Sequence, residues 1–127
     1  MIRKLRPHVV LTLALAAGAA FPAYADCTYP RAPASLPNGN TASMEEMVEG
    51  QKQVKQYMAD MDTYLKCLDE GKQPLAEGAT DEQKKEYERL EAIRVQKHNA
   101  AVGEMETVAE RFNEQLRAYR ARQPKKG

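Results

Sequence analysis

MEEMVEGQKQVKQYMADMDTYLKCL, residues 44–68, is the stretch whose spacing decides the fold. Met44, Met47, Gln51, Val54, Met58, Met61, Leu65 and Leu68 follow one another at steps of three and four residues. Such steps return side chains to one face of an α-helix and make the seam of coiled-coil-type packing, with Gln51 its one polar interruption. Ser43-x-x-Glu46 opens the segment as a capping box, Gly71 offers a stop, and Pro74 forbids continuation. The segment therefore reads as a helix over about 43–70.

Toward the C-terminus, GKQPLAEGA (residues 71–79) reads as a loop, and Thr80-x-x-Gln83 is a second capping box followed by the acids Asp81 and Glu82. Tyr87, Leu90, Ile93, Lys97, Ala101, Met105, Val108, Phe112, Leu116 and Tyr119 then give a second seam, with Lys97 filling a gap in it. No proline intervenes before Pro124, so one long helix is expected over about 81–121, followed by a frayed tail at 123–127. Gly103 interrupts its middle, at about 1 kcal/mol relative to Ala, and suggests a bend or a close contact. No segment alternates with the period of a strand. The class is all-α: an antiparallel two-helix hairpin spanning 43–122.

Toward the N-terminus, residues 26–42 carry Pro30, Pro33 and Pro37 and then Asn38-Gly39-Asn40. Prolines three and four apart exclude helix and favour a polyproline-like path, and Asn-Gly marks a turn. These residues form an extended arm. Before them, Arg3, Lys4 and Arg6, the apolar run 9–17 and the small-x-small end Ala23-Tyr24-Ala25 have the order of a secretory signal peptide, residues 1–25, cut between Ala25 and Asp26. The apolar run is well short of the ~20 residues of a spanning helix. A periplasmic or secreted location follows.

The 127-residue chain has a formal net charge of +1, and loss of the leader leaves 16 basic against 18 acidic residues, a net charge of −2. That balance argues against nucleic acid as a partner. With no Trp and two Phe the core is thin, and a small domain with a thin core needs a staple or a partner subunit.

Cys27 and Cys67 are the only cysteines. In an oxidising compartment an intramolecular disulfide is the default; free thiols, an intermolecular bridge and a metal pair are the alternatives. Chain lengths support the first. Thr41 to Cys67 rises about 39 Å as helix, and Cys27 to Thr41 spans about 43 Å as polyproline, so the arm can run back along helix 1 and close the bond. Gly50, Gln53, Tyr57, Asp60, Tyr64, Cys67 and Gly71 form a stripe beside the Met/Leu seam, with Tyr57 and Tyr64 as flat seats for proline rings.

Catalytic chemistry finds no constellation: His98 is the sole histidine after the leader and has no nucleophile to serve. No cofactor or metal ligand set is expected. Met44-x-x-Met47 and Met58-x-x-Met61 have the thioether spacing that Cu(I) or Ag(I) favours, but also occupy seam positions where Met fills a core. His98-Asn99 and Phe112-Asn113 are expected to hydrogen-bond structurally. Arg117, Arg120, Arg122, Lys125 and Lys126 make a basic end that suits the helix dipole and also an anionic envelope surface.

Helix lengths of about 42 and 60 Å leave the last dozen or so residues of helix 2 overhanging helix 1 in a hairpin. Phe112, Leu116 and Tyr119 would lie bare there beside Arg117, Arg120 and Arg122 as a partner-binding patch. A symmetric dimer, or a protein partner, is expected to cover it.

Cys27-x-x-Pro30-x-x-Pro33, Pro37-Asn-Gly39, Tyr64-Leu-x-Cys67-Leu68, His98-Asn99-Ala100 and Phe112-Asn113-x-Gln115-Leu116 resemble a group of short exported proteobacterial proteins of unknown function. The resemblance covers nearly the whole chain after the leader and implies a shared disulfide-tied helical design. Ala79-Thr80-Asp81-Glu82-Gln83 is similar to the Leu-Thr-x-x-Gln element of Spy/CpxP-type periplasmic helical proteins, which act as chaperones or stress modulators; Ala79 stands in place of the Leu, and there is no second copy. The expectation is a non-enzymatic periplasmic interaction or envelope-maintenance protein. The alternatives are a Spy/CpxP-like chaperone and a soft-metal binder working through the Met pairs.

Overall fold

A computed structural model describes residues 27–125. The expected signal peptide and its cleavage site lie outside the described residues, as do Lys126 and Gly127. Two helices, α1 (Met44–Glu70) and α2 (Asp81–Ala121), pack against each other, with no strand among the described residues. Both begin where the capping boxes place them. The Ser43 hydroxyl accepts from the Glu46 N–H at 3.1 Å and the Glu46 carboxylate from the Ser43 N–H at 2.6 Å. Thr80 and Gln83 repeat the exchange at 3.2 and 2.9 Å. Each box satisfies two orphan donors and stabilises its helix by about 1 kcal/mol.

Residues 27–42 form the arm. Cys27 is bonded to Cys67, with 5.8 Å between their Cα atoms. In the chain-entropy model, closing this loop stabilises the fold by about 4 kcal/mol. From there the arm runs antiparallel to α1, in the groove between the helices. Tyr29 meets Tyr64 edge-on, with ring centroids 4.9 Å apart, and Pro37 lies over Gly50. Asn38 then turns the chain: its side-chain oxygen accepts from Asn40 N–H, and its carbonyl accepts from Thr41 and Ala42.

The buried face of α1 is rotated from the expected seam. Met47, Gly50, Val54, Tyr57, Met61, Tyr64 and Leu68 are buried, whereas Met44 is 70% exposed and Gln51 is exposed. The arm is the cause. It covers the tyrosine side of α1, so the core centres between the Met/Leu and tyrosine rows. In α2, Ala101, Val108 and Phe112 are buried, but toward its N-terminus the inward positions are Glu91, Arg94 and His98, and Ile93 is 37% exposed. Gly71 ends α1 in a right-handed conformation, with φ of −72°; the left-handed glycine is Gly78, at φ of 76° in the loop.

The expected overhang is at the other end. Asp69 pairs with Arg94 and Gly50 lies against Phe112, so α1 is matched by α2 from Arg94 onward. Arg122 still reaches the start of α1, donating to the carbonyls of Gly39, at 2.8 Å, and Ala42. The surplus of α2 is its first turns, because the loop after Gly71 runs outward before Thr80 rather than turning back at once.

Two glycines behave oppositely. A Cβ at Gly39 would overlap the main-chain carbonyl of Gln115, whose side chain accepts the Gly39 N–H at 2.9 Å. A Cβ at Gly103 meets nothing within 4 Å, so the close contact suggested by the sequence is not what holds a glycine there. Gly39→Ala is expected to destabilise by about 2 kcal/mol or more, and Gly103→Ala to stabilise by about 1 kcal/mol. Thermal melts of the oxidised protein should move in opposite directions, by about 4–8 °C per kcal/mol.

Candidate functional site

Three surfaces concentrate the unusual chemistry: the arm groove, the basic C-terminal end and the hairpin tip. In the groove the Tyr29 hydroxyl donates to Glu104 at 2.6 Å, joining arm to α2, while its ring packs on Tyr64 of α1. Neither Tyr29 nor Glu104 stands out in the sequence. Yet Tyr29 lies two extended residues beyond Cys27 and Tyr64 one helical turn before Cys67, so an antiparallel arm makes them neighbours. The Tyr57 hydroxyl points into the same region, buried and without a hydrogen-bond partner. Burial, followed by the nearby Glu104 carboxylate, pushes its ionisation up to about 12. The Tyr29 and Tyr64 hydroxyls are also raised, each chiefly by burial.

The residues expected to form a partner patch are divided. Phe112 is buried in the core, and Leu116 and Tyr119 are half-buried against it. The Arg122 guanidinium lies 4.9 Å from the Tyr119 ring centroid while it holds the arm turn. Burial removes Phe112 from a free surface, and Arg122, though exposed, is tied to the arm turn. Arg117, Arg120 and Lys125 remain exposed.

At the tip, Arg94 pairs with Asp69 at 2.8 Å and with Glu91 at 3.1 Å, and Lys72 reaches Glu91 at 3.4 Å. Arg94 first, and Lys72 after it, hold the Glu91 carboxyl below its ordinary range. This network clasps the end of α1 to α2. Beyond it, the loop and the first turns of α2 frame an open cleft of about 410 Å³, with Pro74, Leu75, Ala76, Ala79, Tyr87 and Leu90 as its apolar lining and Glu82, Gln83 and Glu86 completing it. Leu75 is 43% exposed. The sequence signal was available: Leu75 and Tyr87 are apolar residues with no α1 beside them once the register is known.

Of the methionine pairs, Met47 and Met61 are in the core, at 4% and 0% exposure, while Met44 is at the surface and Met58 is half-buried. Neither pair is presented together to a solvent ion. Among the described residues no group of three or more His, Cys, Asp and Glu could hold a metal, and no helix is long and apolar enough to cross a membrane. Comparisons with protein-family models, curated proteins and solved structures find no match to this chain.

Two measurements follow. Because the Tyr57 ionisation is raised in the fold from its ordinary 10.0 to about 12, stability should be level below about pH 10 and fall as pH rises through 12. Circular dichroism and the tyrosinate absorbance band should change together over that range, and titration of every tyrosine at the ordinary value would contradict it. If Arg117, Arg120 and Lys125 contact anionic envelope surfaces, co-sedimentation with anionic vesicles should be strong at low salt. It should collapse once screening shortens to about 8–10 Å; no binding at low salt leaves these residues as helix-end charges.

Proposed function

We propose that this is a non-enzymatic, exported interaction protein of the periplasm, engaged in envelope maintenance. The observation that supports it best is the cleft at the hairpin tip. Leu75 is exposed there, and the half-buried Tyr87 and Leu90 line the cleft beside it. An exposed apolar concavity beside a clasped helix end suits an apolar segment of another polypeptide. The disulfide accords with an oxidising compartment.

The same cleft favours a second reading, a chaperone that takes apolar segments of unfolded chains without choosing a sequence. The two readings differ in how many clients they accept. The native oxidised protein, used as bait in envelope extracts, should retain a defined partner that Leu75→Asp and Leu90→Asp both release. Retention by the wild type and both variants alike would refute the cleft as the binding site. A general chaperone would instead suppress aggregation of an unrelated model client, and the same two substitutions should abolish that protection.

A further inference from the structure

The arm fills only one of the two grooves that a pair of packed helices presents. It lies against Gly50, Tyr57 and Tyr64 of α1 and reaches Glu104 and Gln115 of α2. Helical geometry puts Met44, Met58 and Leu65 on the opposite side of the buried row of α1, and Val102, Met105 and Leu116 on the matching side of α2. Five of these six are only half-buried, and Met44 is 70% exposed. Val48, at 56%, and Val95, at 45%, extend the same face. Nothing among the described residues covers it.

We infer that a second copy covers this face, giving an antiparallel four-helix bundle with its two-fold axis parallel to the helices. The charges on the rims select that arrangement. Asp69 is level with Arg94 and Gly50 with Phe112. Stepping along both helices from these pairs sets Lys52 level with Glu110 and Lys55 level with Glu106. The lysines border the open face on its α1 side and the glutamates border it on its α2 side. Lys55, Glu106 and Glu110 are exposed and make no ion pair among the described residues, and Lys52 makes only a long one, 3.9 Å to Glu49.

A two-fold axis along the helices preserves height and lays α1 of one copy against α2 of the other. Lys52 and Lys55 then meet Glu110 and Glu106 of the second copy, twice over. An axis across the helices would instead bring the basic rim onto its own copy and the acidic rim onto its own, and like charges oppose that. Every neighbouring pair of helices in the favoured bundle is antiparallel, as in up-and-down bundles. The strip from Met44 to Leu65 is about 32 Å long and about two helix diameters wide. Its footprint of roughly 600 Å² per copy, ~1,200 Å² in all, reaches the lower end of stable interfaces. The proposal is independent of the tip cleft, which lies beyond the strip and stays open in the dimer.

Sedimentation equilibrium of the exported, oxidised protein should show a dimer at tens of micromolar. Val48→Glu and Val95→Glu replace exposed side chains, so each should yield a monomer with unchanged helical signal and melting of the folded chain. Lys55→Glu and Glu106→Lys should each weaken association about tenfold. The double variant should recover the wild-type constant, because residues 55 and 106 of one chain lie on opposite rims and can meet only across the interface. A monomer at hundreds of micromolar overturns the proposal, as does a dimer indifferent to the valine substitutions. A dimer that the valine substitutions break, but that ignores the charge reversals and their combination, overturns the two-fold axis assigned here.

Discussion

The Cys27–Cys67 bond fixes the first residue of the arm at the far end of α1, and the arm then has one path open to it. With both cysteines tied, the chain must travel the length of α1 to reach Ser43, and an extended proline-containing segment covers that distance without slack. The groove between the helices receives it because two glycines let backbone come close: Gly50 under Pro37, with a Cβ only 2.6 Å from the proline ring, and Gly39 against the main chain of α2. The arm is thus a third layer of a core that two helices alone would leave thin. Arg122 closes the far end by donating to the turn carbonyls, which would otherwise lack donors.

Local signals in the sequence carried the element boundaries well. Capping boxes are short-range chemistry, written in four consecutive residues, and both helices start where Ser43 and Thr80 put them. The disulfide was legible because a length argument needs only rises per residue. Phase and register were not legible, and for one reason: they depend on what a helix packs against. The Met/Leu row and the tyrosine row of α1 are both plausible inner faces taken singly. Only the arm, lying on the second, rotates the core to lie between them.

The register of the hairpin was hidden in the loop. Equal numbers of residues could have turned back at Gly71 and left the C-terminal end of α2 bare, with Phe112 outside. The chain instead runs outward through Pro74, and the surplus of α2 emerges beside the loop. Phe112 is buried as a consequence, in the core and beside Gly50, and needs no partner to cover it. The lone polar position in the expected α1 seam, Gln51, lies on the side that the arm does not reach and is exposed in the single chain.

The two ends of α2 differ because the third layer is finite. From Ala101 to Phe112 the helix faces both α1 and the arm, and its buried residues are apolar. Past the level of Cys67 the arm is absent, and beyond the fully buried Leu68 the contacts between the two helices are charged. Glu91, Arg94 and Asp69 make those contacts, holding the helices by charge-assisted hydrogen bonds that tolerate solvent. Such contacts contribute far less than buried apolar area, so the tip is the part of the molecule that opens at lowest cost. The disulfide therefore divides the hairpin into a packed body and a looser tip, and the apolar cleft lies in the half that can adjust its shape.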